Sequence, residues 1–390
     1  MANIVILCCI FTFLLSQLEA QVYLPVSRDS DSLQFVTALQ IGDSSFPSRL
    51  VLDLNAPFLF TDQAASSIPL NKCSIQCFKA KTYVDDPYAS SSCFDHNREI
   101  ASQGVCMVST VNTFTGSEAK GELVEDQLKA RSVSGGTVKL KKFIFSIGPS
   151  FLLSGLARGA NGVLGLGRSN IGVLSQVSNA VSSQRKFSLC LASSNGFLLL
   201  GDGGINPLSP SKISNDLAYT PLLNTDREGD YLIDVKSIRI NTQKVVIAFG
   251  ATKISTAVPY TVLSGPIFES LTKAYESAAK AKNMTRVESA FPFGLCFSSD
   301  GGEGAPPPID LVLQSEMVKW RVEGKNLLTR VGDKTCLGFV DGGAEMDVGM
   351  VIGGLQLVDR LLEFNVGTNM LGFGKPSSCL GVLPALVSDL

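Results

Sequence analysis

Few residues of this sequence stand in a pattern that suggests catalysis. His96 is its only histidine, so a Ser-His-Asp triad would have to use it, yet no Gly-x-Ser-x-Gly elbow is present to hold a serine. Asp95 and Asn97 flank His96 and indicate an exposed loop. No feature points specifically to the carboxylate pair of a glycosidase. The remaining candidate is Asp53, which ends an apolar run and forms the centre of a turn.

The cysteines form a second group with possible chemistry. The chain has 10 cysteines. Cys8 and Cys9 lie in the N-terminal apolar segment, and the other cysteines are Cys73, Cys77, Cys93, Cys106, Cys190, Cys296, Cys336 and Cys379. Without Cys8 and Cys9 the chain has eight cysteines, an even number that predicts four disulfides in an oxidising compartment. Zinc is the alternative, because Cys73 and Cys77 are closely spaced, but no second close pair follows and no metal is expected.

Residues 1–20 have the form of a secretory signal peptide. They are apolar from Ile4 to Leu15, then polar, and end on Ala20, which suits a cleavage site. The run is too short to span a bilayer. We therefore expect a soluble, secreted mature chain from Gln21, with no membrane partner. In such a chain Asn283 is a glycosylation candidate, because it begins the sequon Asn-Met-Thr.

The formal net charge is −2, and lysine and arginine are mostly scattered along the sequence. This distribution predicts no basic stripe for a nucleic acid, so nucleic acid is not an expected partner.

Short runs rich in β-branched and aromatic residues alternate with turn residues, which predicts an all-β chain. Strands are predicted at residues 33–41, 49–60, 138–147, 197–200, 231–240, 309–313 and 361–364. The best helix is predicted at residues 266–280, where Pro266 suits the first turn and Ile267, Leu271, Ala274 and Ala278 share a face.

A long-range repeat divides the chain. A turn at Asp53 precedes Val163-Leu164-Gly165, and a turn at Ser255 precedes Val351-Ile352-Gly353 at a similar distance. We therefore predict a signal peptide at 1–20 and two related lobes at 21–205 and 206–390, with residues 201–211 as the crossover.

A series of short motifs then occurs in a recognisable order. They are Phe143-Ile144-Phe145-Ser146, Gly165-Leu166-Gly167-Arg168, Tyr219-Thr220-Pro221-Leu222-Leu223, Pro259-Tyr260-Thr261-Val262-Leu263, Pro292-Phe293-Gly294 before Cys296, Val340-Asp341-Gly342-Gly343 and Val351-Ile352-Gly353-Gly354. With them the chain resembles the pepsin-like aspartic proteases, most closely the plant group of extracellular dermal glycoproteins, basic 7S globulins and inhibitors of xylanase and xyloglucanase. The resemblance implies an all-β, bilobal, pepsin-like double β-barrel with a few short helices.

Pepsin-like enzymes carry an Asp-Thr/Ser-Gly triplet in each lobe, and the two carboxylates share one proton and activate a water. Here the triplets read Asp53-Leu54-Asn55 and Ser255-Thr256-Ala257, so the second carboxylate is absent. The tyrosine of the family's flap aligns with Thr113. We therefore expect no catalytic residues, no cofactor and no enzyme activity, with Asp53 and Ser255 as vestigial dyad positions and Asp53 a hydrogen-bonded turn residue.

The resemblance also implies disulfide pairings. It pairs Cys296 with Cys336 and Cys190 with Cys379, while the four cysteines from Cys73 to Cys106 pair among themselves in one of three ways. Two positions that hold cysteine in related proteins, near Thr61 and at Ile147, are other residues here, as joint loss of a bonded pair would produce.

An inactive protease fold that is secreted is most simply a binding protein. The resemblance favours an inhibitor or decoy-type binder of a microbial glycoside hydrolase such as an endoglucanase or xylanase, acting through inserted loops. The alternatives are a binder of a peptide or hormone-like protein and a residual protease. Related inhibitors use a histidine or arginines that this chain lacks, so the target-binding candidates are Asp300, Glu303 and Lys375, in the loops at 298–305 and 374–378.

Overall fold

The computed structural model describes residues 21–44, 46–63, 66–81, 104–133, 135–192, 195–201, 217–224, 229–241, 243–245, 250–299 and 305–379. The predicted signal peptide, His96, Cys93, Asp300, Glu303 and most of the predicted crossover lie outside these residues. Extended strands dominate the described part of the chain, so the all-β prediction is confirmed.

The strands are β1 Val22–Arg28, β2 Phe35–Ile41, β3 Ser48–Asp53, β4 Phe60–Thr61, β5 Ile68–Pro69, β6 Met107–Asn112, β7 Ser117–Ser132, β8 Thr137–Ile147, β9 Gly162–Gly165, β10 Lys186–Cys190, β11 Gly196–Leu200, β12 Ala218–Pro221, β13 Tyr231–Asp234, β14 Ser237–Ile240, β15 Gln243–Val245, β16 Ala251–Ile254, β17 Thr261–Leu263, β18 Arg286–Val287, β19 Cys296–Ser298, β20 Ile309–Val312, β21 Lys319–Val322, β22 Leu328–Val331, β23 Lys334–Leu337, β24 Phe339–Asp341, β25 Met350–Ile352, β26 Leu361–Asn365 and β27 Met370–Phe373. The α-helices are α1 Ile75–Lys81, α2 Val173–Ala180, α3 Gly265–Lys280 and α4 Gly354–Leu357, with 3-10 turns at Ser150–Leu153 and Gly324–Asn326.

One 14-stranded sheet contains the strands of the first half together with β12, β26 and β27 from the second half. Its strand order is β12-β27-β26-β10-β11-β1-β2-β3-β9-β4-β8-β7-β5, and β6 pairs with β7. Three smaller sheets come from the second half, in the orders β13-β16-β25-β17-β24, β15-β14-β20-β21 and β18-β19-β23-β22. Since β10 pairs with β26, main-chain hydrogen bonds join the two halves. The lobe boundary near residue 205 stays a prediction.

The two halves share a strand arrangement around their turns. In the first half β3 runs parallel to β9, β9 antiparallel to β4, and β4 parallel to β8. In the second half β16, β25, β17 and β24 follow the same pattern. A Cβ on Gly165 would lie 2.4 Å from the Phe58 carbonyl oxygen, and one on Gly353 would lie 2.2 Å from the Tyr260 carbonyl oxygen. Each repeat therefore ends on glycine because another main chain crosses it closely, and the predicted repeat is confirmed.

Most predicted elements are found with shifts of one or two residues, but two predicted strands are wrong as single strands. Residues 49–60 contain β3, a turn and β4, because the Asn55 N–H folds back onto the Asp53 carboxylate at 2.8 Å. Residues 231–240 form β13 and β14 in different sheets, because the Lys236 N–H bonds instead to the Val312 oxygen at 2.8 Å.

The predicted helix is confirmed as α3, with proline in its first turn. Ile267 and Leu271 are buried, as expected, and Ala274 and Ala278 pack partly buried against the same core. Tyr275 is also fully buried there. Among the described residues, no helix has the length and apolarity needed to cross a membrane.

Three disulfides connect described cysteines: Cys77–Cys106, Cys190–Cys379 and Cys296–Cys336. The last two are the pairs that the resemblance implied. Cys73 is also disulfide-bonded, to a partner outside the described residues. Thr61 and Ile147 face each other where β4 pairs with β8, which is the proximity that a lost disulfide at these positions requires.

Candidate functional site

Asp53 is the last residue of β3 and is fully buried. One carboxylate oxygen accepts a hydrogen bond from the Asn55 N–H at 2.8 Å, and the other accepts one from the Thr113 hydroxyl. The main-chain oxygen of Asp53 accepts from the Leu166 N–H at 2.8 Å. Asp53 is therefore anchored on three sides by hydrogen bonds within the first half of the chain.

The corresponding turn of the second half holds a hydroxyl instead of a carboxylate. Ser255 follows β16, and its N–H donates to the Ile352 oxygen at 3.0 Å. Its side-chain oxygen accepts from the Ala257 N–H at 3.1 Å. Ser255 is 3 % exposed. This hydroxyl occupies the structural place of the second acid and closes its own turn, but it cannot hold a shared proton.

Thr256 joins the two turns across the halves. Its hydroxyl accepts from the Leu54 N–H at 3.1 Å and donates to the Leu52 oxygen at 3.0 Å. Leu54, at the equivalent position in the first turn, is apolar, fully buried and part of the main core. Thr256 thus forms a hydroxyl bridge from the second turn to the first. Leu54 cannot form the reciprocal bridge, because its side chain has no hydroxyl and packs in the core instead.

The hairpin of β6 and β7 covers Asp53. Thr113 lies in the four-residue turn between these strands, and its hydroxyl reaches the Asp53 carboxylate. Asn112 fixes the base of the turn, because its side-chain amide donates to the Leu152 and Ser154 oxygens at 2.8 and 2.9 Å. The residue aligned with the flap tyrosine therefore contacts the remaining acid directly.

Burial dominates the electrostatics of Asp53. It raises the pKa of this carboxyl above the ordinary value of 3.8, against the lowering effects of the Thr113 hydroxyl, the Asn55 N–H and the Lys253 charge. The uncharged acid is therefore favoured relative to an exposed aspartate. Without a second carboxyl in the opposing turn, the arrangement cannot divide one proton between two acids and activate a water.

Asn55 departs further from the glycine of an active triplet. It is 7 % exposed, and both polar atoms of its side chain lack hydrogen-bond partners among the described residues. A buried amide without partners disfavours folding by about 1–3 kcal/mol. The side chain also adds volume beside the acid.

The structure reveals one neighbour of Asp53 that the sequence analysis missed. Lys253, two residues before Ser255, forms an ion pair with Asp230 at 2.7 Å and lowers the pKa of Asp53 through its charge. The available signal was a lysine two residues before Ser255, inside the strand that leads into its turn. Asp234, the nearest carboxylate upstream of Ser255 in the sequence, forms an ion pair with Lys236.

Of the target-binding candidates, Lys375 lies within the described residues. Lys375 is exposed in the 374–378 loop, which is anchored at both ends. The Gly374 N–H donates to the Leu361 oxygen at 2.8 Å, and the Leu361 N–H donates to the Ser378 hydroxyl at 2.9 Å. The glycosylation candidate Asn283 is exposed just after α3.

Two family models match the chain in succession. Residues 35–202 match the model described as xylanase inhibitor N-terminal, and residues 230–375 match xylanase inhibitor C-terminal. The protein named probable aspartic proteinase GIP2 of Nicotiana benthamiana is 35% identical over 386 residues, which cover 90% of this chain and 88% of that protein.

Solved structures also match the chain. The crystal structure of basic 7S globulin from soybean matches with a TM-score of 0.79 and 30% identity, over 94% of this chain and 98% of that chain. An aspartic proteinase from Irpex lacteus matches with a TM-score of 0.64 and 14% identity, over 93% of this chain and 100% of that chain, and so supports the pepsin-like fold alone. The chain belongs to the pepsin-like family that contains the xylanase inhibitors and the basic 7S globulins.

Proposed function

We propose that this protein is secreted, has no protease activity, and binds and inhibits a microbial cell-wall glycoside hydrolase in the apoplast. The observation that carries the proposal is the incomplete acid pair: Asp53 is buried under Thr113, and Ser255 stands where the second carboxylate would be. A fold of this size that has lost its chemistry retains rigid surfaces, and such surfaces suit binding.

The choice of a glycoside hydrolase rests on the family. Both matching models are described as parts of a xylanase inhibitor. The similarity to a basic 7S globulin supports the second candidate, a binder of a peptide or hormone-like protein. One relative is named a probable aspartic proteinase, which would favour the third candidate, residual proteolysis. The missing carboxylate at Ser255 argues against that candidate.

The 374–378 loop suits insertion into a cleft. Its ends are fixed by the hydrogen bonds to Leu361, and the Cys190–Cys379 disulfide follows immediately. A loop that is already ordered loses little conformational entropy when it docks. We propose that Lys375 contacts the carboxylates of the target's cleft, and that Asp300 and Glu303 in the other candidate loop contribute contacts as well.

The test combines inhibition and capture. The purified protein is titrated against a microbial xylanase and a xyloglucan-specific endoglucanase, and is also used to capture partners from the cell-wall fluid of infected tissue. Dose-dependent inhibition together with a captured hydrolase is the expected result. Capture of a peptide without inhibition of either enzyme would favour the second candidate and contradict the first.

Three variants then locate the binding surface. Replacing 374–378 or 298–305 with Gly-Ser segments should weaken inhibition at least tenfold, whereas Asp53→Ala should leave it unchanged. Circular dichroism verifies that each variant is folded. If Asp53→Ala abolishes inhibition in a folded protein while both loop replacements inhibit normally, binding takes place at the former active site and the loop proposal is wrong.

A further inference from the structure

Strand pairing gathers basic side chains that are separated along the chain. Lys129 on β7 is directly opposite Lys139 on β8. Arg131 and Lys141 lie two residues farther along their strands, on the same side of the sheet as this pair, because side chains alternate between faces. We call Lys129, Arg131, Lys139 and Lys141 the basic face.

Three of the four cations of the basic face are exposed, and the charge of the group is poorly compensated. Arg131, Lys139 and Lys141 are exposed, and the side chain of Lys129 is 23% exposed. Among the described residues, the only carboxylate that forms an ion pair with this group is Asp43, 3.5 Å from Lys129. The basic face therefore carries an excess of positive charge on a chain whose formal net charge is −2.

The packing of the sheet does not explain this arrangement. The buried side of the same strands is formed by Leu128, Ala130 and Leu140, so the exposed positions contribute nothing to the core. Like charges directly opposite each other across two strands are destabilising. An anionic ligand is expected to stabilise the Lys129–Lys139 pair, because the bound ligand neutralises the repulsion between the two lysines.

The spacing of the charges selects a linear ligand. Neighbouring strands are about 4.8 Å apart and alternate residues about 6.8 Å apart, so the four cations form a compact row rather than a single-anion pocket. We propose that the basic face binds a polyuronate, an acidic polysaccharide with one carboxylate per sugar, and that this contact retains the secreted protein in the cell wall. The proposal rests on secretion and is independent of hydrolase inhibition.

A polyuronate fits better than other polyanions. Single-stranded nucleic acids are held by aromatic side chains that stack on bases, and the neighbouring aromatic residue, Tyr23 opposite Arg131, is 7 % exposed. Membrane binding requires apolar side chains beside the cations. On the adjacent strands, however, the polar residue Gln40 lies opposite Lys129 and the polar residue Thr137 lies opposite Arg131.

The test measures retention of the full mature protein on immobilised polygalacturonate near physiological salt. Lys139→Gln/Lys141→Gln removes two cations of the basic face. Lys244→Gln/Lys273→Gln removes two exposed lysines elsewhere and gives the same net charge. Parallel columns carry fully methyl-esterified polygalacturonan, double-stranded DNA and vesicles of anionic phospholipid.

We expect wild type and the control variant to be retained on polygalacturonate and not on its uncharged ester. Neutralising one cation near an anionic surface weakens binding about 5-fold, so the basic-face variant should bind about 25-fold more weakly. Its Tm should not fall, because the substitutions remove repulsion. Equal losses in both variants, or no retention of wild type, would overturn the proposal. Tighter retention on DNA or vesicles would overturn the choice of ligand.

Discussion

At the scale of single residues, the paired turns at Asp53 and Ser255 differ from an active acid pair by local replacements with separate physical effects. Ser255 removes the second acid, and Thr113 donates a hydrogen bond to the remaining carboxylate. Asn55 adds a buried amide that has no hydrogen-bond partner within the described part of the chain. Any one of these changes would impair a shared-proton mechanism. Together they leave Asp53 as a buried turn residue.

The first prediction is inertness. The purified protein should release no peptides from denatured globin at acid pH, with or without pepstatin. Ser255→Asp should remain inactive as well, because Leu54, Asn55 and Thr113 still occupy the surroundings of the dyad. Pepstatin-sensitive cleavage by the wild-type chain, absent from an Asp53→Ala preparation, would contradict this reading of the site.

The second prediction concerns Asp53 and pH. Because burial raises the pKa of Asp53 in the folded chain, the protonated carboxyl is favoured by folding. The stability that it contributes is fully present below the ordinary value of 3.8 and is lost as the pH rises through the raised value. Asp53→Asn removes this ionisation, so it should raise the Tm at pH 7, and the gain should shrink below about pH 4.

Asp310→Asn provides the matched control for Asp53→Asn. Asp310 is also buried, but Arg321 holds both of its oxygens at 2.8 and 3.0 Å. Loss of this ion pair should lower the Tm at pH 7, which is the opposite sign. A drop in Tm for both variants would show that the charge of Asp53 stabilises the fold.

At the scale of the elements, one threonine hydroxyl links the two turns. The hydroxyl of Thr256 serves both Leu54 and Leu52, 202 and 204 residues away in sequence. The parallel pairs β3–β9 and β16–β25 bring each turn to its place. The retained hydroxyl therefore has a structural role that does not depend on catalysis.

The third prediction tests that role. Thr256→Val leaves the Leu54 N–H and the Leu52 oxygen without their partner, so it should lower the free energy of unfolding by about 2–3 kcal/mol. Thr252→Val, on the strand β16 that leads into this turn, is the control, since the Thr252 hydroxyl is buried without a partner among the described residues. It should change stability by less than about 0.5 kcal/mol or increase it. Urea denaturation measures both, and equal losses would argue against the bridge.

At the scale of the whole molecule, segments that are far apart in the sequence are joined by strand pairing and by a disulfide. The β10–β26 pairing and the Cys190–Cys379 disulfide both connect the end of the first half to the end of the chain. This disulfide joins residues 189 apart, whereas Cys296–Cys336 joins residues 40 apart.

The fourth prediction follows from these separations. In the chain-entropy model a longer closed loop gives greater stabilisation, about 5 kcal/mol for the long loop and about 4 kcal/mol for the short one. Cys190→Ala/Cys379→Ala should therefore lower the free energy of unfolding more than Cys296→Ala/Cys336→Ala. Denaturant unfolding compares the two double variants, and a larger loss for the shorter loop would show that local packing outweighs chain entropy.

The sequence by itself determined the fold class, the internal repeat, the loss of the second carboxylate and helix α3. These features depend on residue type and local periodicity, which need no knowledge of contacts. The turn triplets are readable for the same reason: at position 255 there is a serine and no acid.

Only the tertiary structure decided which side chains meet. It split residues 49–60 at the turn after Asp53, placed Lys253 near that acid, and brought Lys129 opposite Lys139 on paired strands. Scattered lysines in the sequence became one face because strand register, which long-range hydrogen bonds fix, determines the neighbours of an exposed side chain. The burial that raises the pKa of Asp53 arises in the same way, from packing of segments far apart in the chain.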